Sequence, residues 1–395
     1  MRILRLYLPF NCSGMLIEIL WILFLACLGV QLFYILFVFG RLAFFHSPKA
    51  SLASKARDEK EGVTVIIAAH NERTNLKKLI PLLFEQEYPN FEVMVINDRS
   101  YDGTKRVLEK MMEIYPRLRT VTVNYTPHHV TSKKYALTLG IKVAKNDVLL
   151  LTDADCWPKS PQWIEQMTEP IRLEGRDFAL GFSQYEEEQS LLNRWIQFET
   201  LLTGIQFLSF GLIRAPYMGV GRNLSYRRSF FMENKAFKGI WDIFCGDDDL
   251  YVNLHATGRN TAIVVNPESI TFSTPKKSWE EYFQQKKRHF HAGKYYRTVN
   301  KLKIAWYSLS HTIFWISGLS LAILLGINRQ WEQFLTISGI ILVRSILITS
   351  VFKASRKKLE GQSRVNWAAV FDLVYVAYFW VLGSMGYMSK RVRWK

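Results

Sequence analysis

Four long apolar stretches constrain what this chain can fold into more than any other feature. Residues 15–40 are almost entirely apolar apart from Glu18 and Gln31, long enough to cross a bilayer as a helix. Their length and the lack of a small-residue cleavage site argue against a removable signal peptide. Three more stretches follow Ala305, at about 305–326, 333–352 and 367–388. Any one of them could be a buried helix of a soluble domain, but four of that length fit a membrane better. Lys353, Arg356, Lys357, Lys358 and Arg364 lie between the last two, and Arg41, Lys49, Lys55, Arg57 and Lys60 follow the first. The positive-inside rule places both groups in the cytoplasm. Residues 1–60 are then one membrane helix (about 15–40) with a basic linker, 61–300 a cytoplasmic domain, and 301–395 a membrane region of two to three helices. One point resists this topology. Four spans would leave the basic tail from Lys390 to Lys395 outside, so either the last stretch, with Asp372 and Gly383, is re-entrant or interfacial, or the tail is an exception.

Charge narrows the partners. A formal net charge of +17 suits a protein pressed against anionic membrane lipid and handling anionic substrates. Nucleic acid is disfavoured, because much of the excess lies beside the membrane stretches and no nucleic-acid motif appears. Cys12, Cys27, Cys156 and Cys245 show neither paired nor ligand-like spacing, which points to a reduced compartment without disulfides or structural zinc.

The middle of the chain alternates. Apolar runs at Val63 to Ala69, Phe91 to Ile96, Leu118 to Val123 and Val148 to Leu151 read as strands; Asn75 to Phe84, Thr104 to Ile114 and Ser132 to Val143 read as helices between them. That order predicts an α/β domain with a mostly parallel sheet and right-handed crossovers. His70 and Glu72, Asp98, and Asp153 with Asp155 follow strands at one edge, where open α/β sheets bind ligands. Solvated loop acids would explain any one of these, less readily all of them. No G-x-G-x-x-G follows the first strand and there is no P-loop. Phosphate without a glycine cradle points to a bridging cation, and Asp153 and Asp155 are oxygen ligands suited to a hard divalent one. Lys133, at the start of a helix, adds a cation there or is simply solvated.

Further on, Trp157-Pro158 is expected to turn the chain, with Ser160-Pro161 opening a helix at Gln162. Leu191 to Ile213 is an interfacial or core helix, and Gly219 to Tyr226 a glycine-flanked strand allowing close backbone approach. Asp247, Asp248 and Asp249 precede a helix from Leu250 to Ala256 with Gly258 as its C-cap. The macrodipole accounts for one or two of these acids. Trp279 to Tyr296 is a basic, aromatic helix ahead of the later membrane stretches, suited to a membrane surface.

Together these residues resemble the family 2 glycosyltransferases, membrane-anchored relatives of cellulose, chitin and hyaluronan synthases, over about 62–296. The resemblance implies the GT-A fold, a Rossmann-like α/β domain with a mostly parallel sheet, flanked here by transmembrane helices. It likens Ala68-Ala69-His70-Asn71-Glu72 and Ile96-Asn97-Asp98 to the family's donor-binding segments, with Asp98 at the nucleobase. Asp153-Ala154-Asp155 is similar to the D-x-D, implying Mg²⁺ or Mn²⁺ held mainly by Asp155. Gly246-Asp247-Asp248-Asp249-Leu250 resembles E-D-x-D-L, with Asp247 on the catalytic base; Gly246 replaces the usual glutamate, which leaves Asp247 and Asp248 both open. Gln285-Lys286-Lys287-Arg288-His289 is similar to Q-x-x-R-W, a clamp for diphosphate and acceptor through Gln285, Arg288 and His289. Histidine in place of tryptophan removes a stacking surface and weighs against processive synthesis. Gly221, Arg222 and Asn223 fall on the acceptor side.

The function implied is an inverting, metal-dependent transfer of a sugar from a nucleotide sugar, with uridine the expected base, to a hydroxyl of a glycan or lipid. The catalytic domain would face the cytoplasm of a bacterial inner membrane. A processive polysaccharide synthase and an inactive nucleotide-binding scaffold are the alternatives.

Overall fold

A computed structural model describes residues 10–45, 61–360 and 367–389, with side chains from Gly14 onward. The basic positions at Lys49, Lys55, Arg57, Lys60 and Arg364, the tail from Lys390, and the Cys12 side chain lie outside the described residues.

The first helix, α1, runs Phe10–Phe33, widens into a π-helical stretch at Tyr34–Phe39 and ends at Gly40–Phe44. Then come β1 (Val63–Ala69), α2 (Arg73–Phe84), β2 (Phe91–Asp98), α3 (Thr104–Ile114), β3 (Leu118–Val123), α4 (Ser132–Val143) and β4 (Val148–Leu151). These match the expected strands and helices closely. β1, β2 and β4 are near-continuous apolar runs because both their faces are covered, which removes the alternation a half-exposed strand would show; the edge strand β3 leaves Arg119 and Thr122 exposed. Gly140 lets α4 lie close on β2, since a Cβ there would stand 2.4 Å from Ile96.

Next are β5 (Cys156–Pro158), α5 (Trp163–Glu174), β6 (Phe178–Leu180), β7 (Ser183–Tyr185), α6 (Leu191–Leu212), β8 (Leu224–Arg227), α7 (Arg228–Glu233), α8 (Asp249–His255), β9 (Thr261–Ile263) and β10 (Thr271–Ser273). The chain closes with α9 (Trp279–Ala292), α10 (Thr298–Ile327), α11 (Trp331–Glu360) and α12 (Ala368–Met388).

The main sheet has seven strands in the order β3-β2-β1-β4-β8-β6-β9. β3, β2, β1 and β4 are mutually parallel, β8 is antiparallel to both β4 and β6, and β9 is parallel to β6. Because Leu151 pairs with Leu224, the turn preceding β8 arrives at the edge where β1, β2 and β4 end. A second sheet, β5-β10-β7, stands beside that edge.

Several expectations are corrected here. Trp157-Pro158 is not a simple turn: Cys156–Pro158 pairs antiparallel with β10. The Ser160 hydroxyl accepts the Gln162 N–H at 3.2 Å, but the helix starts one residue later, at Trp163. Gly219 to Tyr226 is not one strand, since Gly221–Asn223 is a 3₁₀ turn ahead of β8. Ala256, extended, ends α8 in place of Gly258.

Among the described residues, four helices are long and apolar enough to cross a membrane: Gly14–Phe44, Thr298–Ile327, Trp331–Glu360 and Ala368–Met388. α12 is one unbroken helix packed along α9, where Phe290 meets Tyr378 and Phe379. Within the bundle, Gln31, Ser310, His311, Arg344 and Asp372 form a buried polar group contributed by all four helices.

Candidate active site

The loop after β1 is sewn to the loop after β2. Asn71 sits at φ 59°, a left-handed conformation asparagine tolerates better than most residues. Its backbone N–H donates to Ser100 Oγ at 2.9 Å, and its Oδ1 accepts the Tyr101 N–H at 2.9 Å. His70 Nδ1 lies 2.6 Å from the Asp98 carbonyl oxygen. The Asp98 carboxylate is taken up by its neighbour, with Arg99 Nε at 2.7 Å and Nη2 at 3.1 Å. Glu72 faces the aspartate loop: burial pushes its carboxyl up against a hydrogen bond from Asn75, and Asp155 and Asp153 add to the rise.

At the end of β4, one ligand atom each from Asp153, Asp155 and Cys156 falls within 4.8 Å of the others. Burial, then the Asp153 charge, raises the Asp155 carboxyl above its ordinary range, with Arg222 and Lys276 pulling the other way. Two carboxylates crowded at a half-buried edge are a donor set that a divalent cation relieves. The Cys156 thiol, driven up mainly by burial, remains a neutral neighbour that donates weakly to Asp155 at 3.6 Å.

Lys133 bridges two motifs 94 residues apart, lying 3.0 Å from Asp153 Oδ1 and 2.9 Å from Asp247 Oδ2. The expectation that it was merely solvated is set aside. Burial alone would raise Asp247, but Lys133 and Lys134 overcome it and hold the carboxyl below its usual range. Lys134 acts from inside, its ammonium donating to the Cys245 carbonyl at 2.7 Å. Asp248 is raised by burial and by Asp247; its Oδ2 accepts the Gly221 N–H at 2.6 Å, and its Oδ1 the Asp249 N–H at 2.7 Å. Asp249 turns away from the others and accepts the Tyr296 hydroxyl at 2.9 Å. Burial and Asp248 push its carboxyl to about 8.

Gly246 makes this loop possible. Its φ is 88°, and a Cβ would stand 2.3 Å from the Leu250 side chain. Only glycine is at home there, so the motif's glutamate has no room.

One hollow is lined by Ala68, Lys133, Thr152, Asp153, Gly221, Asp247 and Asp248, floored by Ile66, Leu137 and Leu151. The expected residues do not all point into it. Asn223 is fully buried, taking Trp163 Nε1 at 2.9 Å and donating to the Phe182 and Ser269 carbonyls at 2.7 and 2.8 Å. Asn223 therefore braces the domain instead of facing an acceptor. Arg222 lies over the Tyr185 ring at 4.5 Å, and its carbonyl accepts the Thr152 and Thr271 hydroxyls, each at 3.1 Å.

α9, the helix that precedes the last three long apolar helices, borders the crevice. Gln285 donates to the Tyr185 hydroxyl at 3.2 Å, and the Arg288 carbonyl meets Cys245 Sγ at 3.5 Å. Lys286, between them, turns inward to a buried ion pair with Glu199 of α6. Enclosure in the crevice, with Lys286, Arg288, Arg222 and Lys133 nearby, pushes His289 well below the imidazole range. Tyr185, Tyr296 and Lys276 carried no sequence signal and reach the site by tertiary packing, whereas Cys156 is there because it follows Asp155 in the chain.

Residues 64–235 match the family described as Glycosyl transferase family 2. The probable glycosyltransferase YdaM of Bacillus subtilis (strain 168) is 22% identical over 326 residues, 79% of this chain and 71% of that protein. Glycosyltransferase AglE of Haloferax volcanii is 29% identical over 121 residues, 30% of this chain but only 38% of its own length. Among solved structures, the mannosyltransferase PcManGT from Pyrobaculum calidifontis, in complex with GDP-Man and Mn²⁺, has a TM-score of 0.56 at 17% identity, covering 92% of this chain and 98% of that one. At that identity the likeness is one of fold, and it takes in the long apolar helices as well as the α/β core.

Proposed function

We propose, from the match of residues 64–235 to the glycosyl transferase family 2 model, a membrane-bound, inverting transfer of a sugar from a nucleotide sugar to a hydroxyl of a glycan or lipid. The observation that carries this reading is the hollow shared by Asp153, Lys133, Asp247 and Asp248. A lysine shared between Asp153 and Asp247 supports reading the hollow as an electrostatic site for a leaving diphosphate beside a carboxylate that can take a proton.

In this reading Asp155, with Asp153, holds Mg²⁺ or Mn²⁺; when bound, the cation supplies Lewis-acid stabilisation to the departing diphosphate. Ala68, His70, Glu72 and Asp98 line the donor side, and Arg288 with Gln285 and His289 forms the clamp from α9. Asp247, kept ionised by Lys133 and Lys134, takes the acceptor proton. Lys133 is shared between Asp153 and Asp247, so turning it towards a diphosphate frees Asp247 and raises its basicity as the donor arrives. Asp248, tied to two backbone N–H groups, positions the loop. The four long helices and the basic segments inside them support a cytoplasmic catalytic domain.

The test is a panel of nucleotide sugars, uridine- and guanosine-linked, incubated with membranes containing the protein. Release of nucleoside diphosphate that depends on Mg²⁺ or Mn²⁺ is expected with at least one donor. Tight nucleotide binding without turnover across donors and acceptors would refute the enzyme reading and favour a scaffold.

A further inference from the structure

Arg222 is the cation of this crevice whose role is least explained by what surrounds it. Its backbone is fixed, with the carbonyl held by two threonine hydroxyls and Asn223 braced by three bonds. Its guanidinium carbon lies over the Tyr185 ring, 4.5 Å from the centroid, and Tyr185 is only 4% exposed. Yet Nη1 is buried with no hydrogen-bond partner among the described residues. A buried guanidinium nitrogen left unpaired costs free energy, and a planar fork held on an aromatic ring is pre-organised for an oxyanion.

The platform is anchored as well. On β7, Tyr185 faces the crevice and its neighbour Gln184 faces the other way, donating to Glu360 Oε1 at 2.8 Å. Glu360 closes α11 and also accepts Arg356 Nε at 2.9 Å. The strand beneath Arg222 is therefore held by the end of a long apolar helix.

We propose that Arg222, positioned by the Tyr185 ring, is a phosphate-binding residue of this crevice, taking an oxyanion beside the D-x-D. This rests on the transferase reading above and specifies it. The phosphate has two possible sources, the donor diphosphate or a phosphate carried by a lipid acceptor.

The experiment uses the full chain in detergent and two probes, uridine diphosphate with Mn²⁺ and dodecyl phosphate, each titrated by calorimetry. Arg222→Gln and Tyr185→Leu are expected to weaken one of them about tenfold, the size of a lost charge-assisted bond or a desolvated cation–π contact. Loss confined to uridine diphosphate assigns the donor; loss confined to dodecyl phosphate assigns the acceptor. Tyr185→Phe keeps the ring and is expected to lose clearly less affinity than Tyr185→Leu, although it gives up the Gln285 bond. Arg222→Lys, which keeps the charge but not the fork, is expected to fall between wild type and Arg222→Gln, and it serves if the glutamine variant does not fold. Wild-type affinity for both probes in folded Arg222→Gln overturns the proposal while leaving the transferase reading intact. A Tyr185→Phe loss as large as that of Tyr185→Leu overturns the role of the ring. A wild-type chain that binds neither probe overturns both.

Discussion

In the helix bundle, Asp372 accepts Trp315 Nε1 at 3.1 Å, lies 3.1 Å from His311 Nε2 and pairs with Arg344. Arg344 in turn donates to Gln31 at 2.7 Å, and Gln31 to Ser310 at 2.9 Å. The crevice uses the same residue types, yet leaves them open. Asp155 and Asp153 repel each other, Lys133 is divided between two carboxylates, and Arg222 has a spare donor. Charges deep in an apolar bundle have no water to fall back on and must be paired locally. Charges at a sheet edge can keep unspent bonding capacity for a ligand. The contrast separates acids that hold the molecule together from acids that act on something else.

Substitutions test that separation, beginning with the largest expected effect. Asp247→Asn is expected to lower transfer by about a thousandfold, within the range of general-base catalysis, with nucleotide binding by calorimetry near wild type. Full transfer by this variant would remove Asp247 from the role. Asp372→Asn should do the reverse. Leaving Arg344 uncompensated costs about 3 kcal/mol, read as a lower melting temperature in detergent, with turnover per folded molecule retained. If Asp372→Asn abolishes turnover without loss of stability, the bundle is not merely a brace. Asp155→Ala is expected to weaken Mn²⁺-dependent nucleotide affinity about a hundredfold, an effect absent when the titration is run with chelator.

The smallest effect is a matter of pH. Asp249, at about 8 in the folded protein against an ordinary aspartate unfolded, binds its proton more tightly when folded. Its contribution to stability is complete below the ordinary carboxylate range and declines as pH rises towards about 8. Melting temperatures from pH 5 to pH 9 should fall less steeply in Asp249→Asn than in wild type; parallel curves would show that Asp249 is already ionised.

The sequence made the parallel half of the fold legible for a physical reason. Strands buried on both faces need unbroken apolar runs, and β1, β2 and β4 each end where polar residues begin. The second sheet was not legible, because Cys156–Pro158, Ser183–Tyr185 and Thr271–Ser273 are three residues each, too short for any periodicity and one containing proline. The D-x-D and the aspartate loop could be found from spacing alone. Their connection through Lys133 could not, and neither could the inward turn of Asn223 or Lys286, since both depend on which partner packing supplies. Gln31, Arg344 and Asp372 looked like interruptions in apolar stretches; paired across helices, they are what lets those stretches sit together.

Gly246 has a consequence for how this loop could change. With a left-handed backbone and Leu250 filling the space a side chain would need, restoring the glutamate of related motifs would first have to displace Leu250 from the head of its helix. A side chain at 246 is thus tied at once to the backbone turn and to the seat of Leu250, so the shape of the loop rests on that one glycine.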